Sequence, residues 1–273
     1  MPKPLDAFFI HQQPFYEPLA DEVAQYQAAY QQKMPVMLKG PTGCGKTRFV
    51  EYMAWTLGKP LISVACNEDM AASDLLGRFL LNEQGTQWID GPLTLAARHG
   101  GICYLDEIVE ARQDTTVVIH SLTDYRRRIL LDKINELVTA HPDFQLVISY
   151  NPGYQSLIKE LKPSTRQRFV AFEFDYPQAA KEAQIVHQET SLPLTQCELL
   201  VAVAHAGRRL KGQGLSEGIS TRLLVNAAHL IQQGINFEQS CQLAMIAPVT
   251  DDPEIRGTLE HAVRALLPPA RNA

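Results

Sequence analysis

The clearest chemistry in this sequence belongs to a phosphate-binding loop. One run of residues fills every fixed position of the pattern G-x-x-x-x-G-K-[ST]: Gly40-Pro41-Thr42-Gly43-Cys44-Gly45-Lys46-Thr47. Its glycines let the backbone wrap so that successive N–H groups point at a polyphosphate. In this pattern the lysine reaches the β- and γ-phosphates and the next hydroxyl ligates Mg²⁺. The run therefore predicts ATP or GTP binding, with Lys46 on phosphate and Thr47 on the metal.

Two adjacent carboxylates form a second candidate element. Asp106 and Glu107 follow an apolar run at 101–105 that is typical of a buried strand. In a doubly wound sheet this strand end lies beside the nucleotide. We expect Asp106 to hold Mg²⁺ through its water shell and Glu107 to orient and polarise the attacking water. The pair favours hydrolysis over a small-molecule kinase, which must exclude that water.

Two polar residues further along the chain are candidate sensors of the nucleotide. Asn151 follows another apolar run, 144–149, and its amide could bind the γ-phosphate or the attacking water. It could instead be a simple turn residue before Pro152. Arg222 opens a helical pattern and could reach back over the phosphates.

Arg166 and Arg168 precede the last predicted strand. A planar guanidinium can stabilise the charge of phosphate in the transition state. In such folds this segment lies away from its own nucleotide, so one of the two arginines would act on the site of a neighbouring subunit. Since residues two apart face different directions on a helix, only one can do so. We favour Arg168 and expect the other to be a surface ion-pair residue.

The predicted elements alternate between strands and helices, which indicates an α/β fold with a parallel sheet. Strands are expected at 36–38, 61–65, 101–105, 144–149 and 170–174. Helices are expected at 18–32, 47–57, 178–190, 195–211, 219–232 and 237–247. The strand signals stop past Pro177, so we place a boundary near 176. This predicts a nucleotide-binding domain at 1–176 and a small all-helical lid domain at 177–273.

Two predicted β-hairpins, at 77–89 and 127–139, interrupt this alternation. They are either decoration or functional loops, and insertions on an α/β core usually carry function. The three arginines 126–128 beside the second hairpin either line a pore or lie on a solvated surface.

Composition narrows the classes of protein. With 45% hydrophobic residues and a net charge of −5, the chain can bury a core and gives no global electrostatic reason to bind nucleic acid. Its five cysteines are odd in number and lack C-x-x-C spacing, which favours a reducing, cytoplasmic location. The histidines lack metal-ligand spacing, and no apolar run approaches the ~18 residues of a membrane span.

Taken together and in this order, the motifs resemble those of AAA+ ATPases. The resemblance implies a P-loop core with a parallel five-stranded sheet and a helical lid, and the two hairpins resemble the MoxR branch. The closest resemblance is to the CbbQ/NirQ/NorQ group. It is carried by the phosphate loop and three further strings, at 104–107, 149–156 and 163–169.

That resemblance implies a homo-hexameric ATPase that works with an adaptor bearing a von Willebrand factor A domain. CbbQ-type members reactivate inhibited Rubisco, whereas NorQ and NirQ types support maturation of nitric oxide reductase. We expect Rubisco as the client, because the segment from Pro14 to Lys39 looks more CbbQ-like. A nucleotide-dependent scaffold with little turnover and a DNA-remodelling ATPase remain as alternatives.

Overall fold

The computed structural model describes residues 5–83, 85–152, 161–212 and 215–267. It divides into two compact units. The first contains the chain up to Gly40 and Lys46–Glu173, and the second contains Pro41–Gly45 together with the chain from Phe174 onward. The division between Glu173 and Phe174 falls near the boundary expected at 176, whereas the grouping of Pro41–Gly45 with the second unit has no counterpart in the sequence-based prediction.

The first unit is built on a parallel sheet. The strands of the chain are β1 (Val36–Lys39), β2 (Leu61–Ala65), β3 (Gly77–Asn82), β4 (Gly85–Asp90), β5 (Ile102–Asp106), β6 (Arg128–Leu131), β7 (Glu136–Thr139), β8 (Gln145–Tyr150) and β9 (Val170–Glu173). Within the described residues, five of them pair in the order β2-β5-β8-β1-β9, all parallel. This confirms the predicted fold class. The carboxyl ends of β1, β5 and β8 share one edge, where such sheets bind ligands.

Helices cover this sheet and form the second unit. They are α1 (Glu22–Gln31), α2 (Lys46–Leu57), α3 (Ala72–Leu76), α4 (Pro92–His99), α5 (Gln113–Val118), α6 (Pro163–Arg166), α7 (Ala179–Thr190), α8 (Leu194–Arg209), α9 (Thr221–Gln232), α10 (Phe237–Cys241) and α11 (Pro253–Leu266). A π-helical turn, Gln242–Ile246, follows α10 directly. In the portion of the chain that the structure describes, no helix is both long and apolar enough to cross a membrane.

Several helices depart from the sequence-based prediction: α1 begins later than expected, and α3, α4, α5, α6 and α11 were not predicted. Helix α1 begins at Glu22 because its carboxylate accepts the backbone N–H groups of Leu19 and Ala20, both at 2.7 Å. Helix α11 was not predicted at all. Its start is marked by Asp252, whose carboxylate caps two backbone N–H groups of the first turn.

Both predicted hairpins are present. Strands β3 and β4 pair antiparallel, as do β6 and β7, and Gln84 in the first turn lies outside the described residues. The second hairpin is amphipathic, since Ile129 and Val138 are buried while the cross-strand pair Leu130 and Leu137 is exposed. The first hairpin is exposed along much of its length, with Leu81 83% exposed. Both hairpins therefore present apolar side chains at the surface.

One arginine of α4 joins the base of the first hairpin to the turn end of the second. Arg98 donates to Asp90 at the end of β4 at 2.9 Å and to Glu136 at the start of β7 at 3.1 Å.

The three arginines at 126–128 differ in their surroundings. Arg127 is half-buried and donates to the carbonyl of Phe144. Arg127 thus contributes to packing, while Arg126 is exposed and paired with Asp124.

Candidate active site

The phosphate loop begins where β1 ends and runs into α2. Gly43 and Gly45 have φ angles of 68° and 103°, in the left-handed region where glycine is favoured. Lys46 is the first residue of α2 and is buried, and its Nζ donates to the carbonyl of Gly40 at 2.8 Å. The backbone geometry therefore explains the glycines at both positions, of which Gly45 is a fixed position of the motif and Gly43 is not.

Asp106, the last residue of β5, uses its two carboxylate oxygens differently. Oδ1 accepts hydrogen bonds from the hydroxyl of Tyr104 at 2.6 Å and from the hydroxyl of Ser149. Oδ2 accepts from Thr47 Oγ1 at 3.4 Å. The two shorter hydrogen bonds are thus both made to Oδ1. The other oxygen, Oδ2, faces the threonine of the phosphate loop.

Tyr104 donates to this carboxylate throughout the physiological pH range. Burial raises the pKa of its hydroxyl, and the negative charge of Asp106 raises that pKa further. The group is therefore protonated across the physiological range. It also lies 3.4 Å from Thr47 Oγ1, so Thr47, Tyr104 and Asp106 form one cluster.

Glu107 has an unusual backbone conformation. Its φ and ψ angles are 54° and 46°, which is left-handed for a residue that carries a side chain. Its backbone N–H donates to Ser149 Oγ at 3.1 Å. Ser149 is fully buried and also donates to Asp106, so one hydroxyl bridges both carboxylate residues. Strain of this kind is common where a side chain must be aimed.

Asn151 follows the last residue of β8 and is partly buried. The N–H of Gly40, the first residue of the phosphate loop, donates to the carbonyl of Tyr150 at 3.3 Å. Asn151 is the residue after Tyr150, so its backbone lies next to the start of the loop. Residues 153–160, which include part of the string at 149–156, lie outside the described residues.

Arg166 and Arg168 both lie at the surface before β9. Arg166 ends the short helix α6, and Arg168 lies beyond it. Arg168 donates from Nε to the carbonyl of Ser164 at 3.2 Å, while its Nη1 lies 3.5 Å from the carbonyl of His120. Burial lowers the pKa of His120, and the charges of Arg168 and Lys162 lower it further.

Arg222 lies in the first turn of α9, within the same unit as Pro41–Gly45. A Cβ atom built on Gly43 would lie 3.5 Å from the Cβ of Arg222 and 2.7 Å from that of Ser220. The start of α9 therefore packs directly against the phosphate loop. It also leaves no room for a side chain at Gly43, in addition to the constraint from its positive φ.

The sequence-based reasoning missed Tyr104 and Ser149. Tyr104 lies two residues before Asp106, and alternate residues of a strand share a face, so this signal was available. The position of Ser149 beside Asp106 depends on the pairing of β5 with β8, in which Leu105 lies opposite Ile148. That register depends on residues far apart in the chain, and no local sequence pattern indicates it.

Comparison with known proteins adds family evidence to this geometry. Residues 35–169 match the model of the AAA domain of the dynein-related subfamily, and residues 182–266 match the model of the CbbQ/NirQ/NorQ C-terminal region. The chain is 60% identical to Protein CbbQ from Hydrogenophilus thermoluteolus, over 95% of this chain and 97% of the relative. It is 55% identical to Protein NorQ from Paracoccus denitrificans, over 93% and 94% of the two chains.

A further relative is equally similar to this chain, and a solved structure supports the fold. The chain is 55% identical to the denitrification regulatory protein NirQ from Pseudomonas aeruginosa, over 88% of this chain and 92% of the relative. A RuvB variant from Thermotoga maritima superposes with a TM-score of 0.54 at 15% identity, covering 92% of this chain and 73% of the other. At that identity the likeness shows the fold alone.

Proposed function

The chain belongs to the CbbQ/NirQ/NorQ group of AAA+ ATPases, and we propose that it is the motor that, with a von Willebrand factor A domain adaptor, reactivates inhibited Rubisco. The observation that carries the motor assignment is the cluster of Thr47, Asp106 and Glu107 organised by Ser149. The choice of Rubisco is supported by the resemblance to CbbQ-type proteins and by 60% identity to Protein CbbQ.

The residues of this site fit ATP with Mg²⁺. The hydroxyl of Thr47 and the carboxylate of Asp106 supply oxygen donors 3.4 Å apart, and oxygen is the ligand that Mg²⁺ prefers. When bound, the metal neutralises charge on the β- and γ-phosphate oxygens. Lys46 holds the same phosphates, and the loop glycines direct backbone N–H groups at them.

Glu107 is proposed as the residue that acts on the attacking water. Its left-handed backbone is tied through Ser149 to Asp106, so the backbone from which the Glu107 side chain projects keeps a fixed relation to the Asp106 carboxylate. Asn151, at the end of the adjacent strand, is proposed to contact the γ-phosphate or that water, and Arg222 to contact the phosphates. A positioned base of this kind contributes about 10²–10⁴-fold to a rate.

We propose that the active form is a homo-hexamer in which Arg168 acts on the nucleotide of the neighbouring subunit. The exposure of Arg168 supports this role, and Arg166 is the alternative. Mixing Arg168→Ala subunits with Lys46→Ala subunits should restore part of the hydrolysis that each lacks alone, because some mixed interfaces regain an intact site. Recovery with Arg166→Ala but not with Arg168→Ala would exchange the two roles.

The proposed compartment is the cytosol. Support comes from the cysteines, since Cys44, Cys66, Cys103, Cys197 and Cys241 are all buried free thiols.

The net charge of the chain bears on the class of client. Because that charge is −5, a protein client is favoured over nucleic acid.

The client is tested by reconstitution. This protein, its adaptor and ATP should restore carboxylation by Rubisco that a sugar phosphate inhibits, and the Glu107→Gln protein should not. If the Glu107→Gln protein restores carboxylation equally well, the protein is a nucleotide-dependent scaffold.

Nitric oxide reductase is the second candidate client, because the chain is 55% identical both to Protein NorQ and to the denitrification regulatory protein NirQ. Failure with the cognate Rubisco, together with rescue of nitric oxide reductase assembly in a deletion host, would assign the motor to that enzyme.

A further inference from the structure

A tyrosine of the second unit holds the backbone of the phosphate loop. The hydroxyl of Tyr176 donates to the carbonyl of Thr42 at 3.0 Å. Burial raises the pKa of Tyr176, so its hydroxyl remains a donor at physiological pH. The loop residue therefore has an anchor that lies more than a hundred positions away in the sequence.

This hydrogen bond sets the direction of a neighbouring donor. The peptide between Thr42 and Gly43 is trans, so its C=O and N–H point in opposite directions. A carbonyl fixed by Tyr176 therefore directs the N–H of Gly43 away from Tyr176. In loops of this pattern the backbone N–H groups are the phosphate ligands. The Tyr176 hydroxyl thus restrains one of the groups that the loop uses for binding.

The tyrosine ring is itself held by an arginine. The guanidinium carbon of Arg208 lies 3.9 Å from the centroid of the Tyr176 ring, a close cation–π contact. Arg208 also donates from Nε to the carbonyl of Ile219 at 2.8 Å. The planar guanidinium thus stacks on the ring while its edges are hydrogen-bonded.

A buried carboxylate fixes that arginine. Glu182 is fully buried and accepts two hydrogen bonds from Arg208, at 2.6 and 2.7 Å, and a third from Thr221 at 2.6 Å. Such a bidentate pair is geometrically restrictive. An unbroken series of contacts therefore leads from the interior of the helical unit through Arg208 and Tyr176 to the carbonyl of Thr42.

We propose that Tyr176 is a positioning residue for nucleotide binding, which fixes the Thr42–Gly43 peptide so that the Gly43 N–H meets the phosphates. The proposal rests on the proposed function, because it presupposes that the loop binds nucleotide. It assigns to Tyr176 no part in the hydrolysis step. Its effect should fall on affinity, equally for ATP and ADP, and not on the rate at saturation.

The test compares Tyr176→Phe with Tyr125→Phe. The first removes the hydroxyl and keeps the ring against Arg208, and the second makes the same change at a residue that is 92% exposed. Binding of ATP and of ADP is measured by calorimetry, hydrolysis by phosphate release, and unfolding temperature with and without ADP. Arg208→Lys is a third variant, which keeps the charge but loses the planar stack.

We expect Tyr176→Phe to bind both nucleotides about 3–10-fold more weakly, as the loss of one neutral hydrogen bond implies. Its rate at saturating ATP should stay within about twofold of the parent. The rise in unfolding temperature caused by a fixed ADP concentration should shrink. Arg208→Lys should weaken binding in the same way, and Tyr125→Phe should match the parent.

Unchanged affinity of Tyr176→Phe for both nucleotides would overturn the inference, as would a fall in the saturated rate with affinity retained. A lower unfolding temperature without ADP and an unchanged ADP-dependent rise would show that the tyrosine serves only folding. If the parent protein itself binds no nucleotide, the proposed function fails first, and the two failures are therefore distinguishable.

Discussion

Replacing Ser149 by alanine should slow hydrolysis without preventing ATP binding. The substitution removes one hydroxyl that makes two bonds, donating to Asp106 and accepting from the backbone N–H of Glu107. It leaves unchanged Lys46, the candidate for phosphate contact, and Thr47, the candidate metal ligand in the loop. Its effect should therefore appear in kcat.

The size of the effect follows from the bonds that are lost. A hydrogen bond to a charged group contributes about 1.5–3 kcal/mol and a neutral one about 0.5–1.5 kcal/mol. The left-handed backbone of Glu107 costs roughly 1–2 kcal/mol, comparable to the bond that holds it. Because Tyr104 still donates to the same oxygen of Asp106, we expect a net loss near 1.4–2.8 kcal/mol, a fall in kcat of about 10–100-fold.

The assay is steady-state phosphate release, with nucleotide affinity measured separately. Ser63→Ala serves as the matched control, since Ser63 is an exposed serine of the same sheet. The decisive comparison places Ser149→Ala in a Glu107→Gln background, where part of its effect should disappear because the carboxylate that it aims is already absent. Fully additive losses, or an unchanged kcat in a folded Ser149→Ala protein, would refute the positioning role.

Three further outcomes are expected. Lys46→Ala should abolish both ATP binding and hydrolysis, whereas Glu107→Gln should slow hydrolysis about 10²–10⁴-fold with ATP still bound; equal loss of binding in both would contradict this division of roles. Changing the exposed Leu80 and Leu81 together to Glu should spare basal ATPase yet abolish client remodelling, and a collapse of ATPase would show that these side chains serve the ATPase itself and not the client. Glu182→Ala should reduce the free energy of unfolding by about 3–5 kcal/mol in denaturant titrations because it strands the charge of Arg208, and a change below about 1 kcal/mol would show that this pair contributes little.

Local patterns were sufficient for much of the fold. The phosphate loop, the strand that ends in Asp106 and both hairpins are marked by glycines, apolar runs and turn residues close together in the chain. The bounds of four core strands differ by one residue from the prediction: β5 and β8 are shifted one position along the chain, β1 ends one residue later and β9 ends one residue earlier. Helix α11 was missed although Asp252 and Pro253 mark its start.

The remaining features depend on contacts between distant residues. Ser149 reaches Asp106 through the register of β8 on β5, and the same serine accepts the N–H of Glu107 in its left-handed conformation. The bond from Tyr176 to Thr42 joins residues 134 positions apart. No periodicity or composition records such pairs, so the candidate catalytic residues were predictable while the residues that orient them were not.

The grouping of Pro41–Gly45 with the chain from Phe174 onward constrains the design of chimaeras between this chain and its relatives. A chimaera that exchanges the C-terminal portion at that point would leave the loop of one parent facing side chains of the other. Among the described residues, the positions to match include Tyr176 and Glu217, which are hydrogen-bonded to Thr42, and Ser220 and Arg222, which lie beside Gly43. A graft that keeps these residues with the loop transfers their contacts intact, and one that separates them from the loop creates a mismatch within the nucleotide site.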